Sequence, residues 1–173
     1  AEVKASVRKG IEKGVQFITI TSDVEGTERL CYVGWDHYRG GKVAGRLMKW
    51  MVGPGGRAVV ILGSKKLRAH RKRLEGFSDT FWAGDSNNEI ITVLENDDDS
   101  EHSKLLINDL FTKTQNIRGL FLGGAGVEGV CSALKKLEID QNIKVICFDR
   151  VASHIQYCRE GIIDIVIDQE PFE

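Results

Sequence analysis

The sequence predicts an α/β protein built on a doubly wound parallel sheet. Two observations carry this. From about residue 57 onward one unit repeats: an apolar strand, a polar loop, then an amphipathic helix. Each strand also runs into a polar or glycine-rich stretch, where such sheets place the groups that meet a ligand.

The elements follow in order. Residues 1–14 read as a helix, with Val3, Val7 and Ile11 at helical spacing and Gly14 as its stop. Residues 16–21 (QFITIT) are β-branched and strand-like, 22–29 form a polar loop, and 30–33 (LCYV) make a short strand. A helix over 38–52 places Val43, Leu47, Met48 and Met51 on one side, and 53–56 (GPGG) is a turn. Strand 58–63 (AVVILG) then leads into helix 68–82, strand 89–94 (EIITVL) into 102–113, and strand 119–123 (GLFLG) into 127–137. Strand 144–148 (KVICF) leads into 153–160, and 163–167 (IDIVI) closes the run.

Composition narrows the function. With 24 Lys+Arg against 25 Asp+Glu the net charge is −1, so no bulk field draws the chain to nucleic acid or to an anionic membrane. No apolar run is long enough to span a bilayer, and the charged start does not read as a signal peptide. Cys31, Cys131, Cys147 and Cys158 form no CxxC pair, which argues against a zinc or redox motif. Unpaired thiols favour a reducing cytoplasm. The first helix has no strand before it and the chain stops just after a strand, which reads as a piece of a longer α/β protein.

Four segments, in order and at matching spacing, resemble the type I periplasmic-binding-protein fold: 32–45 (YVGWDHYRGGKVAG), 61–77 (ILGSKKLRAHRKRLEGF), 147–149 (CFD) and 161–169 (GIIDIVIDQ). That fold is shared by sugar-binding proteins of transporters and by the effector domains of lactose-repressor-type regulators. The resemblance implies a two-lobe protein that is incomplete at both ends. Residues 1–35 are then the later part of the first lobe, 36–168 a nearly complete second lobe, and 169–173 a return crossing. It implies reversible binding of a small polar ligand, a sugar, in a cleft whose closure is the signal.

The first reading is the effector-binding domain of a regulator: cytoplasmic, a homodimer, meeting DNA only through a domain outside this chain, with no membrane partner. The alternative is the sugar-binding component of an ABC transporter, periplasmic or extracellular and lipid-anchored. In both, the protein is not an enzyme and needs no cofactor or metal.

The resemblance also assigns residues. Arg71 falls where the family places an arginine that holds ligand hydroxyls, and a guanidinium offers a planar fork of donors for that task. The neighbouring Arg68, Lys72 and Arg73 read as a solvated helix face. Asp149 ends a strand, where a carboxylate accepts from two adjacent hydroxyls or caps the following helix. Gln169 matches a second hinge position and Asp36 the first, where it caps the helix. Thr21 stands where sugar binders commonly have aspartate, with Ser22 and Asp23 as its substitutes, and Gly123 opens a turn that lets a ligand approach the backbone. Asp97, Asp98 and Asp99 read as helix-start carboxylates.

Residues 124–129 (GAGVEG) match G-x-G-x-x-G after a strand, with Asp149 25 residues beyond the first glycine. This supports a second alternative, a dinucleotide-binding α/β enzyme. Against it, the motif follows several βα units instead of opening the domain. His70 is expected near the cleft, and His37, His102 and His154 at the surface or in loops. No nucleophile–base set emerges.

Overall fold

The computed structural model describes residues 2–84, 87–138 and 142–169. They divide into two compact units with the boundary between Asp36 and His37. In the first, helix α1 (Glu2–Ile11) precedes strands β1 (Ile18–Ile20) and β2 (Cys31–Val33). The strands pair in parallel, from Ile18 opposite Cys31 to Ile20 opposite Val33. Asp23 ties the loop between them: its Oδ1 accepts from Thr19 Oγ1 and Val24 N, both at 2.9 Å, and its Oδ2 from Arg29 Nη2 at 2.7 Å.

The second unit runs α2 (His37–Val52), β3 (Arg57–Leu62), α3 (Arg68–Phe81), β4 (Glu89–Glu95), α4 (Ser100–Lys113), β5 (Gly119–Leu122), α5 (Val127–Lys136), β6 (Lys144–Phe148), α6 (Ala152–Arg159) and β7 (Ile165–Ile167). Its sheet has the order β4-β3-β5-β6-β7 and every pairing is parallel. The expected α/β sheet is therefore present, with all its carboxyl ends on one rim. β7 begins later than the apolar run suggested. After α6 the chain turns at Gly161 (φ 75°), Ile162 N donates to Tyr157 O, and Ile163 drops into the core before the strand starts.

The central strands are buried on both sides, as parallel strands between helices must be. Val59 and Ile61 of β3, Leu120 and Leu122 of β5, and Val145 and Cys147 of β6 share one core with residues of α4 and α5. The intervening residues face the other way. There Phe77 of α3 stacks on Phe121 at 4.5 Å, and Phe121 meets Phe148 edge-on at 5.8 Å. Cys131 and Cys147 are buried, and burial pushes both thiols up, Cys131 to about 12, so they are inert core residues.

Helix α2 corrects the sequence reading. Its buried face is made by Gly40, Gly41, Ala44, Gly45, Met48 and Val52, while Val43 is exposed. The glycines let the backbones of α2 and α3 touch: a Cβ on Gly41 would lie 2.1 Å from Arg73 O, and one on Gly76 2.0 Å from Tyr38 O. The expected return crossing over 169–173 lies, apart from Gln169, outside the described residues.

Candidate functional site

The rim at the carboxyl ends of β5, β6 and β7 is organised by one buried arginine. Arg73, 6% exposed, reaches it from α3. Its Nη1 donates to Gly123 O and its Nη2 to Gln169 Oε1, each at 2.9 Å. Its guanidinium lies over the Phe148 ring at 4.1 Å from the centroid. Gln169 Nε2 in turn donates to Asp149 Oδ1. With Arg73 a pure donor, the amide is oriented oxygen to Arg73 and nitrogen to Asp149. Burial pulls Arg73 below the ordinary arginine value, opposed by the carboxylates of Asp149 and Asp98.

Three expected residues, Asp149, Gln169 and Gly123, thus come together. The residue that joins them is Arg73, which the sequence reads as part of a solvated helix face and the structure buries. A signal was available: Arg73, Gly76, Phe77 and Thr80 recur at helical spacing, and all four are buried. Arg71 is exposed and lies outside this network. Its Nη1 donates to Lys65 O at 2.9 Å and Lys66 O at 2.7 Å, tying down the loop before α3.

Asp149 does not cap α6. The N-cap position is Val151, without a side-chain cap bond. Asp149 instead takes a left-handed backbone, φ 70°. Thr21 (62°), Asp97 (54°) and Asp98 (57°) do the same, and all four follow the carboxyl end of a strand. Such conformations are uncommon in residues with a Cβ, Asp and Asn adopting them most readily, and Asn87, Asn116 and Glu138 do so away from this rim. Thr21 O accepts from Tyr32 Oη at 3.0 Å, and Thr21 and Ser22 are exposed. Asp36 is exposed and immediately precedes α2.

The carboxylates after β4 divide their work. Asp99 caps α4, accepting from His102 N at 2.6 Å. Asp98, expected to do likewise, points its Oδ1 at Ala125 N, 2.8 Å away, between the loops after β3 and β5. A Cβ on Gly63 would lie 2.1 Å from that carboxylate, and one on Gly124 2.5 Å from Gly63 N. Gly129 lies against Ser100 O at 1.9 Å on the same measure. The glycines of 124–129 are thus accounted for by internal packing, and the chain's own carboxylate already takes a backbone N–H that a pyrophosphate would need.

Histidine positions need correction. His37 and His154 are buried, not at the surface. His70 is buried near the rim, its Nδ1 accepting from Ser64 N at 3.1 Å, so the ring carries its proton on Nε2. Burial lowers its pKa below the ordinary value, opposed by Asp98 and assisted by Arg73. Among the described residues, no group of three or more His, Cys, Asp or Glu is placed to hold a metal ion, and no helix is long and apolar enough to cross a membrane.

The model of the family described as periplasmic binding protein domain matches residues 1–173. No curated protein matches the sequence. Among solved structures, a chain of the XylFII-LytSN complex is 28% identical with TM-score 0.92, covering 99% of this chain and 63% of that one. The sugar-binding protein of a sugar ABC transporter from Bacillus halodurans is 27% identical with TM-score 0.78, covering 94% and 56%. GanP, a glucose-galactose binding protein from Geobacillus stearothermophilus, is 23% identical with TM-score 0.89, covering 98% and 61%, a likeness of fold. The chain spans about three fifths of the length of such structures.

Proposed function

The chain belongs to the periplasmic binding protein domain family, and from that premise we propose that it is part of a sugar-binding protein of the transporter type. It binds a monosaccharide reversibly outside the cytoplasm and presents it to a membrane transporter. The regulator reading gives way to this alternative, because the similar structures above 25% identity include the sugar-binding protein of a transporter. These comparisons support neither the DNA partner nor the homodimer of that first reading.

We assign residues 1–35 to the later part of a first lobe and 36–168 to a second, with Asp36 as hinge. The observation that carries the ligand assignment is the chain Arg73–Gln169–Asp149, a carboxylate held by a buried support at a strand-end rim. Carboxylates of this kind accept from paired sugar hydroxyls. Gln169 and Gly123 stand beside Asp149, with Arg71 in the first turn of α3. Thr21 and Ser22, after β1, are proposed as further contacts.

The test is calorimetry on the full-length protein with glucose, galactose, arabinose and tagatose, and with NAD(H) as the contrasting arm. One sugar is expected to bind. Asp149→Ala is expected to lose a charge-assisted contact worth about 1.5–3 kcal/mol, a roughly 10- to 150-fold weaker Kd. NAD(H) binding without a sugar response would replace this reading with the dinucleotide enzyme. Wild-type sugar affinity in Asp149→Ala would remove Asp149 from the site.

A further inference from the structure

We propose that His154 is a positioning residue for Asp149: its imidazole Nδ1–H, donated to the Asp149 carbonyl, holds that residue in the left-handed conformation in which its carboxylate meets Gln169. The inference rests on the ligand role given to Asp149 above. Aspartate reaches φ 70° more readily than most residues with a Cβ, but the conformation is still the less favourable one and contacts that hold it in place stabilise it. Two donors do so here. Val151 N donates to Asp149 O at 2.9 Å, and His154 Nδ1 lies 2.7 Å from the same oxygen. Phe148 O is 3.1 Å from that nitrogen. Both oxygens are acceptors only, so Nδ1 carries the proton.

The ring is 7% exposed. Nε2 lies 3.7 Å from Glu128 Oε1, an oxygen that also accepts from Ser153 Oγ at 2.8 Å. Glu128 sits in the first turn of α5, after the loop that begins at Gly123. The ring's orientation is set at Nδ1, by the carbonyls of Phe148 and Asp149. The helix gives it no other polar duty there, since α6 has no side-chain cap bond.

The experiment compares His154→Leu with His154→Asn in the full-length protein. The asparagine amide nitrogen occupies the place of Nδ1 relative to Cβ and can still donate to Asp149 O. In wild type, ring NMR is expected to show His154 protonated on Nδ1 with a slowly exchanging proton. In His154→Leu, backbone couplings are expected to show Asp149 leaving positive φ. The tightest-bound sugar of the panel then weakens by about tenfold, while His154→Asn keeps the conformation and stays within about threefold. The proposal is overturned if Asp149 keeps positive φ in His154→Leu, if His154→Asn behaves as His154→Leu, or if the wild-type ring carries its proton on Nε2 alone. Because the NMR readouts need no sugar, they decide the role of His154 even where the whole panel fails to bind, an outcome that removes the sugar reading instead.

Discussion

A guanidinium that is 6% exposed persists where its donors and its flat faces are both met. Arg73 meets it in part, through two hydrogen bonds from its Nη atoms and the Phe148 ring, while its Nε is buried without a hydrogen-bond partner among the described residues. An ammonium reaches one of the two acceptors and stacks on nothing. Arg73→Lys is therefore expected to destabilise the protein by about 1.5–3 kcal/mol, read as a lower urea midpoint. An unchanged midpoint would mean that the fork is dispensable. His70 supplies a pH test at the same scale. Its folded pKa is depressed, so the unfolded chain binds more protons as pH falls below about 6.5. The neutral ring is stable above that value, and stability is lost as pH drops towards the folded pKa. His70→Asn leaves an acceptor for Ser64 N but no titration. Its melting temperature between pH 7.5 and 5 should fall less than that of wild type; parallel curves would remove His70 as the source.

At the scale of elements, the α2–α3 seam inverts the usual expectation for glycine. In an exposed helix interior, Gly→Ala gains up to about 1 kcal/mol from propensity. At Gly76 the new Cβ would sit 2.0 Å from Tyr38 O, a backbone atom that cannot turn aside. The helices would have to separate, and overpacking of this kind destabilises by about 1–3 kcal/mol. Gly76→Ala is expected to lower the thermal midpoint; a rise would show that the seam is looser than described. This seam was not legible from the hydrophobic pattern, because glycine adds nothing to an apolar stripe. The spacing of Val43, Leu47, Met48 and Met51 drew attention to larger residues, while Gly41 and Gly45 form the contact with α3. The strands were legible for the converse reason. β3, β5 and β6 are short continuous apolar runs bounded by turn residues, a pattern that a strand buried on both faces imposes.

Across the whole molecule, the rim could be located in the sequence but its wiring could not. Parallel topology puts every strand's carboxyl end on one edge, so Gly123, Asp149 and Gln169 were identifiable from position alone. Which basic residue supports them depends on the face that α3 buries, and that is settled by the tertiary packing of Gly76 and Phe77. The same packing makes the two units unequal. In the second, β3, β5 and β6 lie between helices, and their buried N–H groups exchange only when the sheet opens. In the first, β1 and β2 have three residues each, and Ile20 and Val33 are 70% and 60% exposed. A two-stranded pair with so little apolar cover is marginal by itself. Hydrogen exchange on the 173-residue chain is expected to show β1 and β2 amides exchanging at least about 100-fold faster than those of β3 and β5. Equal protection would show that the first unit folds with the second as one cooperative block. Unequal protection would leave Arg73, Gln169 and Asp149 on a support whose rigidity owes nothing to β1 and β2.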